Sequence, residues 1–203
     1  LTAPNGDPVK ATYIFTSLLL GMIEKYKPDM LIVTMDSKAP SFRTKLYKEY
    51  KAHRPPMPED MPSQIDKIEK ILEAMRIPML RLDGWEADDI IGTLARKYGN
   101  TDNEVFICSR DKDMLQLLDG HTFTYDIKTG TKTTVESMQA DMGLRPEQFR
   151  YVLALAGDTA DNIPGRQDVG PKTAIGWIQK YGWIAKPYDH AGDKKVKRGN
   201  KPR

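Results

Sequence analysis

The sequence predicts an α/β fold in which a parallel sheet is flanked by helices. Short apolar runs of strand length recur over the first 125 residues, and segments with helical spacing of apolar residues separate them. The first run is continuous rather than alternating, which is typical of strands buried on both faces. After about residue 145 the chain reads as helical with glycine-rich turns. We therefore predict two domains, covering residues 1–145 and 146–203.

The predicted elements follow in the order helix, strand, helix. Apolar residues recur at helical spacing over residues 11–26, and Pro28 ends that helix. Residues 37–62 are basic and rich in proline, which favours a mobile surface segment rather than core. The remaining predicted elements are strands at 30–35, 78–82, 104–108 and 121–125 and helices that begin near residues 63, 86, 112 and 171.

Composition indicates a globular protein that binds no membrane. The 203 residues are 39% hydrophobic and 29% charged, and no apolar run reaches the roughly 20 residues of a membrane span. We see no signal peptide and expect a cytoplasmic protein. Cys108, the one cysteine, excludes an intramolecular disulfide and a cysteine zinc site, and its apolar neighbours predict that it is buried. The net charge is +3, and the charged residues are unevenly distributed, with a basic tail after residue 193. This tail either attracts a polyanion or is a solvated terminus.

Carboxylates follow three successive predicted strands. The carboxyl ends of parallel strands share one edge of a sheet, so these side chains should meet there. Crowded carboxylates repel one another, and divalent cations relieve the repulsion. The oxygen ligands favour Mg²⁺ or Mn²⁺, and two such ions can cut a phosphodiester. The predicted cluster consists of Asp36, Glu86, Asp88, Asp89, Asp111 and Asp113.

Other interpretations of these carboxylates remain open. Acidic residues in the first turn of a helix interact favourably with the helix dipole and need have no other role. This interpretation applies to Glu86, Asp88 and Asp89. Asp111 and Asp113 also suit a helix cap and a turn. A D-x-D pair also occurs in phosphatase nucleophiles, although neither aspartate stands out here. The acidic spacing at 158–165 does not fit a calcium loop.

The C-terminal part contains a predicted phosphate-binding site. Gly170 and Pro171 open a helix and leave backbone N–H groups free at its positive end, beside Lys172 and Thr173. Such a site contacts the nucleic-acid backbone, so little sequence preference is expected. An ordinary helix-turn-helix with a tight turn is the alternative.

Taken together, the motifs resemble the 5′ nuclease domain of the bacterial DNA polymerase I family, within the flap endonuclease superfamily. The resemblance extends to about Gly182 and rests on five motifs in order: Met35-Asp36, Tyr50 to Pro58, Gly84 to Asp89, Asp111-Lys112-Asp113 and Gly157 to Ala174. It implies a PIN-like sheet, a helical arch at about 37–62 and a helix-three-turn-helix DNA-binding module. It also implies 5′→3′ exonuclease and flap endonuclease activity with two or more Mg²⁺ or Mn²⁺ ions, in DNA replication and repair.

The resemblance also assigns residue roles. It implies that Asp36, Glu86, Asp88 and Asp111 bind the first metal, with Asp89 and Asp113 close by, and that Asp158 and Asp161 serve a second. The expected catalytic residues are Lys51, Arg54, Asp36 and Asp111. Arg43, Lys51 and Arg54 would grip the scissile phosphate, Tyr50 would stack on a terminal base, and K⁺ would bind backbone oxygens between Gly165 and Gly170.

The resemblance carries further expectations and leaves alternatives. The family opens with a strand that ends in a metal-binding aspartate, and this chain starts after that point, so we expect weakened catalysis. The expected protein is a nucleoid-associated bacterial monomer whose partner is DNA with a 5′ flap or 5′ end, or the RNA of RNA–DNA hybrids. A branched-DNA-binding fragment with impaired catalysis and a PIN-type ribonuclease are the alternatives.

Overall fold

We analysed a computed structural model that describes residues 1–183, so the predicted basic tail lies outside the described residues. The α-helices within that range are α1 (Lys10–Tyr26), α2 (Phe42–Leu46), α3 (Met61–Ala74), α4 (Ala87–Tyr98), α5 (Val135–Met142), α6 (Pro146–Ala156) and α7 (Pro171–Tyr181). The strands are β1 (Val33–Thr34), β2 (Met79–Leu80), β3 (Val105–Ile107), β4 (Thr122–Asp126), β5 (Thr131–Thr133), β6 (Gly157–Asp158) and β7 (Ile163–Pro164).

The strand pairings confirm the α/β class with parallel strands. Strand β1 pairs in parallel with β2, and β3 pairs in parallel with β4. The first strand is nevertheless shorter than predicted, because only Val33 and Thr34 pair with β2. Met30 is 65% exposed and both residues of β1 are half-buried, so the prediction of a run buried on both faces was wrong.

Among the described residues the strands form separate groups rather than one sheet. Strands β1 and β2 make one group, and β3, β4 and β5 make another, in which β5 is antiparallel. Helix α4 contacts both β1 and β3, so it packs across the two groups. The sequence did not predict β5 or the small antiparallel hairpin of β6 and β7, since their strands are only two or three residues long.

The basic segment at 37–62 is more ordered than predicted. It contains α2, whose N-cap Ser41 accepts a hydrogen bond from the backbone N–H of Arg43 at 3.1 Å. Tyr50 is only 7% exposed, so the prediction of a surface segment rather than core was wrong at this residue. Leu46 and Met57 are exposed, as expected for a surface segment.

Two of the hydrophobic clusters within residues 1–183 pack helices against one another. The first joins α1 to α3 through Leu19, Met22, Ile68 and Leu72. The second contains residues of α5, α6 and α7 together with Leu115 and Leu118. Because those two leucines precede residue 145, the core is continuous across the predicted domain boundary.

The region after β3 also differs from the sequence prediction. The helix expected from Lys112 is a 3₁₀ helix over Lys112–Leu117, capped by Asp111. Cys108 is exposed rather than buried, because it lies just beyond the last residue of β3, although its sulfur contacts that of Met22 at 3.7 Å. Across residues 1–183, every helix is too short or too polar to span a lipid bilayer.

Candidate nuclease site

The N-terminus of α4 brings together the ends of the first two strands. The Asp89 carboxylate accepts a hydrogen bond from the backbone N–H of Glu86 at 3.0 Å, which caps the helix. The Asp36 carboxylate, after β1, accepts from the backbone N–H of Ala87 at 2.8 Å. Orphan N–H groups at a helix start favour such acceptors. Asp89 therefore caps α4, as the first-turn interpretation describes, and Asp36 is held at the same helix end.

The carboxylates that follow β3 are those of Asp111 and Asp113, and Asp113 interacts electrostatically with other predicted acidic residues. Asp111 caps the 3₁₀ helix by accepting from the backbone N–H of Asp113 at 2.9 Å. Burial, followed by the charges of Asp111, Asp158, Asp161 and Asp88, raises the pKa of Asp113 to about 6. Burial is the larger cause of this shift, and the neighbouring carboxylates add to it.

Asp88 links the two halves of this cluster. Partial burial raises its pKa, and the charges of Asp111 and Asp36 raise it further. The pKa of Asp88 is therefore affected both by Asp36, which follows β1, and by Asp111, which follows β3. The structure therefore brings the predicted acidic residues toward one region. We refer to Asp36, Glu86, Asp88, Asp89, Asp111, Asp113, Asp158 and Asp161 as the acidic cluster.

The hairpin of β6 and β7 supplies the last two acidic residues. The Asp158 carboxylate accepts from the backbone N–H groups of Ala160 and Asp161, at 2.7 and 3.4 Å, and so shapes the turn. Gly157 has a φ of +72°, and a β-carbon there would lie 2.2 Å from the nitrogen of Gly165. Glycine at these positions lets the two strands approach closely, which fixes where the hairpin presents its aspartates.

Basic side chains of the segment at 42–54 contact the acidic cluster directly. Arg43 donates two hydrogen bonds to Asp89, at 2.7 and 2.8 Å. Lys51 lies 3.0 Å from a carboxylate oxygen of Glu86. Arg54 lies 2.6 Å from Asp161. The hydrogen bonds from Arg43 hold the pKa of Asp89 below its usual range.

Tyr50 lies between two carboxylates of the cluster. Its hydroxyl is 2.9 Å from a carboxylate oxygen of Glu86 and 2.9 Å from one of Asp161. Burial, and then its bonds to these two carboxylates, raise the pKa of the phenol. The expectation that Tyr50 stacks on a base does not fit this conformation, because the side chain is buried and its hydroxyl is engaged.

The acidic cluster suits a hard divalent cation by its chemistry, although its side chains are not gathered around one point. Within residues 1–183, no three histidine, cysteine, aspartate or glutamate side chains stand close enough to hold one ion. Six of these carboxylates instead contact basic side chains, backbone N–H groups or the Tyr50 hydroxyl, namely those of Asp36, Glu86, Asp89, Asp111, Asp158 and Asp161. Burial is the main cause of the raised pKa values of Asp88 and Asp113, and the charges of neighbouring carboxylates raise them further, so a nearby divalent cation would offset part of the cost of ionising both groups.

The N-terminus of α7 has the form expected of a phosphate-binding site. Gly170 is the N-cap, Pro171 is the first helical residue, and Lys172 and Thr173 are exposed. A β-carbon at Gly170 would meet no atom within 4 Å, so the approach to the helix end is open. Ala174 is fully buried and anchors the first turn. The backbone contact of this helix end to nucleic acid stays a prediction.

Sequence reasoning missed an open groove beside the cluster and the pairing of Arg43 with Asp89. The groove has a volume of about 670 Å³ and runs along α4 from Trp85 past Asp88 to Arg96. Most of the lining residues recur at helical spacing along α4, and this spacing is the feature of the sequence that could have predicted the groove. No such signal exists for Arg43 and Asp89, which lie 46 residues apart.

Comparison with known proteins identifies both parts of the chain. The family described as "5'-3' exonuclease, N-terminal resolvase-like domain" matches residues 1–143. The family described as "5'-3' exonuclease, C-terminal SAM fold" matches residues 144–201.

Curated relatives agree with these matches. DNA polymerase I of Pseudomonas aeruginosa is 41% identical over 182 residues, which are 90% of this chain and 20% of the relative. The 5'-3' exonuclease of Aquifex aeolicus is 40% identical over 184 residues, which are 91% of this chain and 64% of the relative. The chain therefore spans less than two thirds of either relative.

A solved structure has a similar fold. It is a pseudo-enzyme-product complex of the bacteriophage T5 D15 flap endonuclease with DNA and metal ions. The TM-score is 0.71 and the identity 22%, with 93% of this chain and 72% of that chain covered. At this identity the likeness supports the fold alone.

Proposed function

The chain belongs to the 5′-3′ exonuclease and flap endonuclease family, and from this we propose that it hydrolyses DNA phosphodiester bonds at 5′ ends and flap junctions. The observation that carries the proposal is the convergence of the acidic cluster with basic side chains of the segment at 42–54. A nuclease needs negative groups for metal and positive groups for phosphate within one site. Family membership supplies the substrate class.

We propose that the acidic cluster holds two Mg²⁺ or Mn²⁺ ions. Asp36, Glu86, Asp88 and Asp111 would hold the first, with Asp113 beside it, and Asp158 and Asp161 would serve the second. Asp89 is the least available of the predicted ligands, because Arg43 and the backbone N–H of Glu86 already occupy its oxygens. When bound, the ions would activate water and stabilise the leaving oxygen.

The chain's own basic residues would bind and orient the DNA. Lys51 and Arg54 would contact the scissile phosphate, since both lie against the acidic cluster on a surface segment. Arg43 would hold α2 against α4 and so fix the distance between the basic segment and the cluster. Tyr50 would orient Glu86 and Asp161 through its hydroxyl rather than stack on a base.

The C-terminal module would bind the DNA away from the cut. Lys172, Thr173 and the free N–H groups after Gly170 suit a backbone phosphate. Backbone oxygens between Gly165 and Gly170 are the proposed K⁺ ligands. We further propose that residues 146–203 form the DNA-binding subdomain, with a boundary next to the 143/144 division between the two family matches. The open helix end favours this function over a PIN-type ribonuclease, which would not need such a module.

Remaining aspects of the proposal follow from the family. Bacterial relatives include DNA polymerase I and a 5'-3' exonuclease, so we propose a role in replication and repair near the nucleoid, performed by a monomer. RNA paired with DNA is a second proposed substrate.

Matched substrates test the proposed specificity. A 5′-labelled DNA flap, the same flap made of RNA, and the unpaired single strand should be compared at equal concentration with Mg²⁺. We expect the DNA flap to be cut near its junction faster than the single strand. Preferential cutting of unpaired RNA would instead support the ribonuclease alternative.

A further inference from the structure

The open groove along α4 changes its charge from one end to the other. Asp88 and Asp89, in the first turn of α4, line the end beside the acidic cluster, and Arg96 and Lys97, in the last turn, line the other end. The two ends are about 10 Å apart along the helix axis. The volume of about 670 Å³ is in the range of binding sites for small molecules.

Trp85 provides an aromatic surface at the acidic end of the groove. Its ring packs against that of Phe42, with the ring centroids 5.0 Å apart, and this contact holds the indole in place. Trp85 nevertheless remains 46% exposed and lines the groove. An aromatic ring that is held in place and open to solvent is a surface on which nucleic-acid bases stack.

The basic end of the groove carries charge that the described part of the chain does not neutralise. Arg96 and Lys97 are exposed, and within residues 1–183 neither forms an ion pair. The Lys97 ammonium lies over the ring of Tyr98, 5.4 Å from its centroid. Basic residues in the last turn of a helix also interact with its dipole, but this interaction leaves their donors available to a phosphate.

Gly92 lies between the two ends, in the middle of α4. Glycine destabilises a helix interior relative to alanine. Packing does not require it, because a β-carbon there would lie 3.5 Å from the side chain of Leu117, which is an ordinary van der Waals contact. Backbone geometry does not require it either, since its φ is not positive. The remaining use of glycine is to let a ligand approach the backbone closely.

We propose that this groove binds one nucleotide of a DNA strand, with the base stacked on Trp85 and a phosphate between Arg96 and Lys97. The inference rests on the proposed action on DNA and adds to it a binding site outside the acidic cluster and the C-terminal module. Short or apolar groups lie between the two contacts, because the middle of the groove is lined by Gly92 and Leu117.

Charge determines the direction in which the nucleotide lies. Asp88 would repel a phosphate at the acidic end of the groove. Asp89 is already neutralised by two hydrogen bonds from Arg43, so this end accommodates an uncharged base. Because stacking tolerates every base, the groove should bind purine and pyrimidine nucleotides alike.

Titration with thymidine 5′-monophosphate in EDTA tests the groove without cleavage. Saturable quenching of tryptophan fluorescence is expected, and Trp85→Leu should remove it. Arg96→Gln should weaken binding of the monophosphate about tenfold and leave that of thymidine, which lacks the phosphate, unchanged. Arg76→Gln is the matched control, an exposed arginine outside the groove, and its Kd should stay within about twofold of the wild-type value.

A leucine at position 92 tests whether the glycine serves the ligand. Gly92→Leu should abolish binding by filling the groove, while the melting temperature stays equal to that of wild type or rises. Gly21→Leu, in α1, is the matched control, because a β-carbon there has open space and lies outside the groove. Wild-type affinity in the Gly92→Leu or Arg96→Gln variant would overturn the inference.

An oligothymidylate of eight nucleotides distinguishes a nucleotide within a strand from a free one. The oligonucleotide should bind at least about tenfold more tightly than the monophosphate, and Arg96→Gln should weaken its binding too. Tighter binding of the monophosphate would overturn the assignment to a strand. If wild type cuts a DNA flap with Mg²⁺ but binds neither probe in EDTA, the groove alone is overturned; if it neither cuts nor binds, the proposed function fails as well.

Discussion

The guanidinium of Arg43 donates two parallel hydrogen bonds to the carboxylate of Asp89, at 2.7 and 2.8 Å. The two side chains are 33% and 18% exposed. A planar guanidinium and a carboxylate match in this geometry, and partial burial strengthens the interaction. The pair connects the short helix α2 to the start of α4, so it sets where the basic segment meets the acidic cluster.

Arg43→Gln should destabilise the protein by roughly 2 kcal/mol, because a partly buried carboxylate loses a charged partner. Arg145→Gln is the matched control: Arg145 lies 2.7 Å from Glu147, but both side chains are more than half exposed. The Arg145→Gln substitution should lower the free energy of unfolding by less than about 0.5 kcal/mol. Urea unfolding without metal compares the two, and equal losses would contradict a structural role for Arg43.

Asp113→Asn should stabilise the metal-free protein at neutral pH. The pKa of Asp113 is raised to about 6 by burial and neighbouring carboxylates, above the ordinary 3.8. The ionised group therefore costs stability above pH 6, and this cost disappears as the pH falls toward 4. After allowance for solvent screening, the gain from asparagine is on the order of 1 kcal/mol.

Thermal unfolding at pH 7.5 and pH 4 measures this effect. The variant should unfold at a higher temperature than wild type at pH 7.5 and at nearly the same temperature at pH 4. Added Mg²⁺ should shrink the difference at pH 7.5, since the metal offsets the repulsion in wild type. A destabilised variant at pH 7.5 would show that Asp113 is not under electrostatic strain.

Gly165→Ala should disrupt the hairpin of β6 and β7. A β-carbon at Gly165 would lie 2.2 Å from the backbone of Ala156, the last residue of α6, so the hairpin or the helix end would have to shift. We expect a loss of about 3 kcal/mol or more. Gly176→Ala is the control, because that position in α7 has open space around it and should gain up to about 1 kcal/mol. Similar effects of both changes on denaturant unfolding would contradict the close approach.

Lys172→Ala should weaken binding to every DNA sequence alike. A phosphate contact carries no base information, so its loss also lowers the salt slope of log K by about 1. Fluorescence anisotropy with two unrelated duplexes at several salt concentrations measures both effects. Lys180→Ala, at the other end of α7, should leave the slope unchanged. Sequence-dependent losses would indicate base contact rather than a phosphate site.

The sequence predicted the alternation of strands and helices well, because the apolar residues of most elements recur at the spacing typical of a helix or a strand. It also predicted that Asp36 and the start of α4 would meet, which the bond from Ala87 to Asp36 supports. It failed at β1, where only two residues pair with β2 and neighbouring apolar residues stay exposed. Apolar character alone does not reveal how many residues of a run will join a ladder.

The partners of the acidic residues were beyond sequence reasoning. Tyr50 lies 36 residues from Glu86 and 111 residues from Asp161, yet its hydroxyl contacts both. No local spacing encodes such a contact, and the proline-rich composition around Tyr50 favoured a surface position. The buried tyrosine changes its proposed role from stacking on a base to orienting two carboxylates.

Cleavage of a 5′-labelled DNA flap tests the central claim that the acidic cluster uses divalent metal to cut DNA. Wild type and Asp111→Asn should be compared with Mg²⁺ and with EDTA, alongside Asp141→Asn, whose exposed aspartate lies in α5 outside the cluster. Asparagine can keep the cap on the 3₁₀ helix, so the change removes mainly charge. We predict release of the flap only with Mg²⁺, a rate on the order of 100-fold lower for Asp111→Asn, and a wild-type rate for Asp141→Asn. Cleavage that persists in EDTA, or equal rates for the two variants, would contradict the account.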